Sequence, residues 1–439
     1  MHANFRPTTR TLRRACGVLL AALAACALPL ATAHAATVIY VSPAGAGSAS
    51  GADWADAATL PNALAAAVAG DQLWVQAGTY LPGQARTAAF ALKSGVAIYG
   101  GFAGDETDLQ QRDPASNPTT LSGDIGTPGD AADNSYHVVV GRGVDQAAVL
   151  DGFTISGGNA NAPADGLGGG ILLMQSSATI RNCTVRANRA DTGGGIGVSG
   201  GGPVLSRLVV EDNQATYGGG ISTGSAVLSM IILRGNRAGY GGAIDVESGS
   251  PAISEVLLSG NQATIWGGGI LAWRSTPTIR QATIAGNSAP NGGAIAVQDT
   301  TLLLRNSIVW GNGAQPIGIY STSSVDSAYS LIQGGYPGVG NRDQDPQFVD
   351  AAGADGTPGT GDDDLHLQAT SPAIDAGSNA DIPSDLADSD QNGNTAEPIA
   401  SDLDGHARLV GGTVDLGVYE APAGTTPPAR YYIPLLRRP

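Results

Sequence analysis

The chain has 439 residues, 64 of them glycine, with 14% charged residues and a net charge of −16 at neutral pH. Its 42% hydrophobic content is too high for a disordered chain, and its 5% aromatic content is too low for one large globular core. What remains is a stack of thin layers of small and β-branched side chains joined by tight turns. The charge sets nucleic acid and anionic lipid aside as partners and leaves divalent cations and neutral or cationic glycans.

Residues 1–35 read as an export signal. Arg13 and Arg14 form its basic start, Cys16 to Leu30 its apolar run, and Ala33-His34-Ala35 a small-x-small cleavage site. A second reading is a lipoprotein attached through Cys26, since Leu23-Ala24-Ala25-Cys26 has the form of a lipobox. Both predict a protein that acts extracellularly or at the cell surface. Loss of the four arginines in this segment moves the net charge from −16 to −20. It also leaves Cys183 alone, so no intrachain disulfide forms. Nothing after residue 35 is long and apolar enough to span a bilayer.

Residues 36–155 are expected to hold an N-terminal cap and irregular first coils. The Ala-rich stretch 60–69 after Thr59 predicts a short helix that covers the first coil, and 104–135 a long polar excursion.

Residues 156–340 carry the repeat that decides the fold. Six Gly-rich tetrads end on Ile171, Ile196, Ile221, Ile244, Ile270 and Ile295, spaced 25, 25, 23, 26 and 25 apart. Asn188, Asn213, Asn236, Asn261, Asn287 and Asn312 keep the same beat. Between these landmarks lie short runs of β-formers such as Ala178-Thr-Ile180, Thr184-Val185 and Ile231-Ile-Leu233. About 25 residues with three short strands make one coil of a right-handed parallel β-helix, an all-β solenoid. A leucine-rich repeat is excluded because its Leu lattice is absent. The glycines suit stacked turns that need positive φ, and the asparagines suit a buried amide ladder along the stack. With no Lys-Ser or Lys-Thr after them, the tetrads are not phosphate loops. Cys183 falls at the repeat position of Leu208, Ile231 and Ala282 and reads as a core residue.

Residues 341–420 form an acidic module. From 343 to 420 there are 17 Asp or Glu against one basic residue, Arg408. Two readings stand: open, solvated loops, or carboxylates that share calcium. The strongest calcium candidate is Asp388, Asp390 and Asn392 in Asp-x-Asp-x-Asn-Gly393, which lacks an acid at the twelfth position because Glu397 comes two residues early. Asp362 to Asp364 are a second candidate. Residues 421–439 are a Pro-containing linker and tail.

One outward patch is expected from register. Ile244 and Val246 point inward, so Asp245 and Glu247 point outward together, beside Leu271 and Trp273 of the next coil. Asp245 and Glu247 are thus candidate catalytic carboxylates, and Trp273 with Arg274 a candidate sugar-binding surface. The competing reading is a solvated strand face carrying an incidental Trp. His137, His366 and His406 show no metal spacing.

The Gly-Gly-Ala-Ile motif with its later Asn resembles the repeats of polymorphic outer membrane proteins, and the coil pattern is similar to bacterial β-helix proteins of the pectate-lyase-like superfold. Val38-Ile-Tyr-Val-Ser42, Ala77-Gly-Thr-Tyr80, Tyr99-Gly-Gly-Phe102 and Leu150-Asp-Gly-Phe-Thr-Ile155 carry the same likeness. Ser371-Pro-Ala-Ile-Asp-Ala-Gly377, Asp402-Leu-Asp-Gly405, Arg408 and Asp415-Leu-Gly-Val-Tyr-Glu420 resemble the C-terminal module called choice-of-anchor Q. The resemblance implies a structural, adhesive or glycan-binding role toward extracellular polysaccharide or a cell-envelope component. A polysaccharide lyase or glycoside hydrolase is the alternative. The phrases Trp-Ile-Asp-His, Gly-His-Gly and Arg-Ile-Lys, which would resemble pectate lyases or polygalacturonases, are absent.

Overall fold

A computed structural model describes residues 36–162 and 166–422. The export signal, the lipobox and most of the 421–439 tail lie outside these residues. The described chain is a right-handed parallel β-helix. Its wall of lowest complexity is a nine-stranded parallel sheet in which Val139–Arg142, Ile171–Ser176, Ile196–Gly201, Ile221–Thr223, Ile244–Glu247, Ile270–Trp273, Ile295–Gln298 and Ile317–Tyr320 follow one another in chain order. The isoleucine that ends each tetrad pairs with its counterpart one coil away, and all six are 0% exposed. At about 25 cal/mol per Å² of apolar surface removed from water, this column and its neighbours are the main source of stability, since the described residues hold no disulfide.

The opening glycine of each tetrad, from Gly168 to Gly292, adopts φ between +61° and +71°. The second glycine is needed for another reason: a Cβ on Gly194 would meet the Gly219 carbonyl oxygen at 2.5 Å. Turn and coil contact therefore both forbid a side chain there.

The asparagines form a continuous ladder. The backbone N–H and the Nδ2 of Asn236 both donate to Asn261 Oδ1, at 3.0 and 2.9 Å, and Nδ2 also donates to the Val210 carbonyl at 2.8 Å. The same pattern links Asn188 to Asn213, Asn213 to Asn236, Asn261 to Asn287 and Asn287 to Asn312. All six are buried.

The opposite wall differs from the sequence expectation. In four coils the two short strands are one eight-residue strand, Val204–Glu211, Val227–Arg234, Ala252–Ser259 and Thr278–Ala285. Each bends at a left-handed non-glycine residue: Arg207, Met230, Glu255 and Gln281, with φ of 52–55°. The bend throws those side chains away from the core.

At the N-terminal end the helix Leu60–Ala66 buries Leu60, Ala63 and Leu64 over the first coil. Lys93, the one lysine, donates to the Ala65 and Ala67 carbonyls at the end of this helix, where a cation is favoured. The region 104–135 is only partly an excursion, because Thr119–Ser122 is a strand of the opposite wall, paired with Gly78–Tyr80 on one side and Thr154–Ser156 on the other.

The acidic segment is not a set of open loops. It packs along the bent wall, and the outward side chains of the bends are what it docks on. Met230 joins an apolar cluster with Leu365, Ile399, Leu403, Val418 and Tyr419. Arg207 donates to the Ser389 carbonyl, Gln281 to the Asp415 carbonyl and Asn306 to the Ser378 carbonyl. Repulsion among the carboxylates is relieved because backbone amides point at them. Asp402 accepts from the N–H of Asp404, His406 and Glu420, and Asp415 from Asp375 and Ala421.

Candidate functional site

The outer face of the isoleucine wall is built from two outward columns. The first, one residue after each isoleucine, runs Leu172, Gly197, Ser222, Asp245, Leu271, Ala296 and Gly318. The second places Glu247, Trp273, Gln298 and Tyr320 in register. The Gly-rich turn of each coil folds over the first column: a Cβ on Gly218 would stand 3.1 Å from Asp245 Cβ.

This turn corrects the expected exposure of Asp245. Its side chain is on the outer face, but it is 4% exposed. The one hydrogen bond shown for its carboxylate comes from Ser222 Oγ at 3.2 Å. Burial pushes the carboxyl up to about 7, opposed by the Ser222 bond and assisted by Glu247. Glu247 is exposed and pairs in register with Trp273. The Arg274 guanidinium lies 4.6 Å from the Trp273 ring centroid, so Asp245, Glu247, Trp273 and Arg274 are neighbours on one face. Arg274 also lines an open hollow of about 410 Å³ with Ser250, Thr276, Asp299, Thr301 and Thr322.

A third column went unread in the sequence although its signal was present. The residues that precede the tetrads, Thr192, Tyr217, Tyr240, Trp266 and Asn291, bridge from coil to coil along the edge of the same face. Tyr217 and Tyr240 stack with centroids 5.0 Å apart and planes 9° apart. Tyr320 stacks on Trp266 at 4.5 Å and 11°, across the bare backbone of Gly318, where a Cβ would meet the tyrosine ring at 2.8 Å. Two polar atoms on this face, Trp273 Nε1 and Tyr320 OH, are buried and have no hydrogen-bond partner in the protein.

The other sequence candidates lie elsewhere. In the 388–397 loop, Asp388 accepts from Gly393 N–H, Asp390 from Asn392 N–H and Asn392 Oδ1 from Asn394 N–H; Asn392 also donates to Glu397. Among the described residues no three His, Cys, Asp or Glu side chains are gathered as a ready metal-holding group. Cys183 is fully buried, and desolvation pushes its thiol up to about 12, which leaves it inert. Two histidines that look scattered in sequence join the acidic segment. His366 lies between Asp364 and Asp404, at 2.7 and 2.6 Å, and stacks on Tyr419.

These groups set a pH dependence. Burial pushes Glu255 up to about 8 and Glu420 to about 7, as it does Asp245. For His366 burial acts downward, but its bonds to Asp364 and Asp404 prevail and raise it to about 9. In every case the folded value lies above the unfolded one. The protonated form therefore stabilises the fold at low pH, and that contribution is lost as pH rises from about 4 to about 8 for the three carboxyls and from 6.5 to about 9 for His366. Thermal melts in buffers from pH 5 to 9 should show a falling Tm; a flat or rising series would contradict these assignments.

Residues 43–230 match the family described as protein of unknown function (DUF1565), a span of less than half of the chain. No curated protein matches. Among solved structures the chain is similar to pectate lyase Pel9A at 16% identity, with a TM-score of 0.51, over 88% of this chain and 97% of the lyase. It is also similar to the deglycosylated pectin methylesterase from Aspergillus niger at 15% identity and a TM-score of 0.31, over 72% and 88% of the two chains. The likeness to the lyase shows a shared parallel β-helix fold.

Proposed function

We propose that the protein is a secreted or cell-surface β-helix protein that binds a strand of extracellular or envelope polysaccharide along the outer face of its isoleucine wall. The observation that carries this reading is the line of rings on that face: Tyr217 with Tyr240, Trp266 with Tyr320, and Trp273 beneath Arg274. The rings stack on one another and under Arg274, so their edges and the guanidinium are what the face offers to the C–H bonds and hydroxyls of a pyranose. The rings are spaced by the coils themselves, about 4.8 Å per coil, so the face is rigid and its ordering entropy is already spent in folding. The sequence resemblance to polymorphic outer membrane repeats and to choice-of-anchor Q supports the exported location. Calcium belongs to this reading through the 388–397 loop, as an ion that would rigidify the acidic segment.

Affinity electrophoresis of the 36–439 chain through gels cast with neutral or uronate-containing polysaccharides, with millimolar calcium or with chelator, tests the reading. At least one polysaccharide should retard the protein. Replacing Tyr217 and Trp266 together by alanine should weaken that retardation roughly tenfold or more, at about 1 kcal/mol per ring. If no polysaccharide retards the chain, or the double variant runs like the parent, the proposal fails. Retardation lost only with chelator would assign the ion.

A further inference from the structure

We propose that the C-terminal tail of this chain, through Tyr431-Tyr-Ile433, adds a strand to the open edge of the isoleucine wall at Ile317–Tyr320 and so covers the last coil.

Ile317–Tyr320 ends the nine-stranded sheet, and among the described residues no strand pairs with its far side. In earlier coils the isoleucine N–H donates to the coil that follows: Ile221 to the Ala243 carbonyl, Ile270 to Ala294 and Ile295 to Pro316. Ile317 holds the same place in its own strand, so its N–H points to where a further coil would lie, and Ile319, two residues on, repeats that direction. The side chains agree. Ile319 is in register with Val297 on the core side, yet Val297 is 0% exposed and Ile319 42%. The strand carries no charge and no bulge breaks its register, so nothing in it guards the edge. The residues that cap the last coil serve the opposite wall: Tyr329 N–H donates to the Val339 carbonyl and Asn341 Nδ2 to the Ser327 carbonyl. At the other end of the stack the helix Leu60–Ala66 already covers the first coil.

Reach, pattern and charge select the tail as occupant. Gly417 N–H donates to the Asn306 carbonyl and Ala421 N–H to Asp415, so the described chain leaves from the coil that directly precedes Ile317–Tyr320. Residues 423–430 can span up to roughly 26 Å, more than the ~10 Å that separates facing sheets. Tyr431-Tyr-Ile433 is a run of β-formers, and Tyr431 and Ile433 stand two apart, the spacing of Ile317 and Ile319. Pro434 then ends the run, as suits an outermost strand. From residue 423 onward the chain holds Arg430, Arg437 and Arg438 and no acid, whereas the last coil and its cap expose Asp326, Asp343 and Asp345. A second copy fits this edge less well, because joining the ends of two strongly acidic molecules sets like charge against like.

Hydrogen exchange at single-residue resolution is measured in the 36–439 chain and in the same chain carrying Tyr431→Ser with Ile433→Ser. The Ile317 and Ile319 amides should exchange roughly tenfold or more slowly in the parent than in the variant. The Ile221 and Ile270 amides, inside the stack, should exchange alike in both. In a second variant, Ile319→Cys with Ile433→Cys, mild oxidation should close a disulfide within one chain, since Cys183 is buried and takes no part. Parent amides at Ile317 and Ile319 that exchange as fast as those of the serine variant would overturn the proposal. So would a crosslink that is absent or that forms only between two chains, the latter assigning the edge to a second copy.

Discussion

Replacing Arg408 by methionine is expected to lower the unfolding free energy by about 3–5 kcal/mol, the cost of leaving the buried Val418 and Gly417 carbonyls and the Glu255 carboxyl without their partner. Arg408 is 1% exposed. It donates to the carbonyls of Val418 and Gly417 at 2.9 and 2.8 Å, pairs with Glu255 at 3.2 Å and lies 3.6 Å from Glu420. Glu255 is at a left-handed bend of the β-helix wall, so this guanidinium is where the acidic segment is fastened to the solenoid. Lysine should not rescue the site, because a single ammonium does not reach two carbonyls and a carboxylate with the same planar fork. The double replacement Arg408→Met with Glu255→Met should recover a good part of the loss, since a buried pair exchanged for apolar groups is often neutral. Urea unfolding gives the magnitude. Limited proteolysis gives the location: cuts in the single variant should fall between residues 343 and 420, with the repeats intact. A single variant as stable and as protease-resistant as the parent would deny Arg408 this role.

Arg408 also shows why the acidic segment was hard to read. Counted along the chain, 17 carboxylates against one guanidinium imply repulsion and an open form. The count omits two things that only three dimensions provide. Backbone N–H groups take up the charge of Asp402 and Asp415, and burial raises the Glu420 carboxyl to about 7, which lowers its share of the charge. The docking surface was hidden for a related reason. Arg207, Met230, Glu255 and Gln281 sit at positive φ without being glycine or, for the most part, residues that favour it. A strand-alternation rule therefore places the bend nowhere and points these side chains into the wrong environment.

The isoleucine wall was legible because period and burial act together there. A one-residue slip would turn every isoleucine outward, so the spacing of the tetrads determines register as well as fold. Asp245, Glu247 and Trp273 were brought onto one face by that register alone. The burial of Asp245 was not legible, since it depends on the turn of the preceding coil, seen in the approach of Gly218. Tyr217, Tyr240 and Trp266 stood at a fixed place before each tetrad and were readable from the same period; attention to the glycines alone passes over them.

The asparagine ladder makes the strongest demand on sequence, and Asn236→Ala should cost about 3–5 kcal/mol. The change leaves the Val210 carbonyl, the Asn213 backbone N–H and one Asn213 Nδ2 donor without their partners. Each buried orphan is worth about 1–3 kcal/mol, and the core above and below is too tightly stacked for water to replace them all. Asn236→Asp separates the two halves of the amide. It keeps the acceptor that Asn213 needs but turns an oxygen toward Val210 O and Asn261 Oδ1. That variant should be as unstable as alanine at pH 8 and partly recover at pH 4, where a protonated carboxyl donates again. Asn312 closes the ladder as an acceptor from Asn287 and donates to Ile284 and Trp310. Its replacement by alanine should lower stability too, with the loss confined to the last coils, because coupling in a solenoid passes between neighbours. Hydrogen exchange should show the Asn236→Ala defect centred on the coils of Asn213 and Asn236, and a loss below 1 kcal/mol with unchanged exchange there would show that the amides are not a connected ladder.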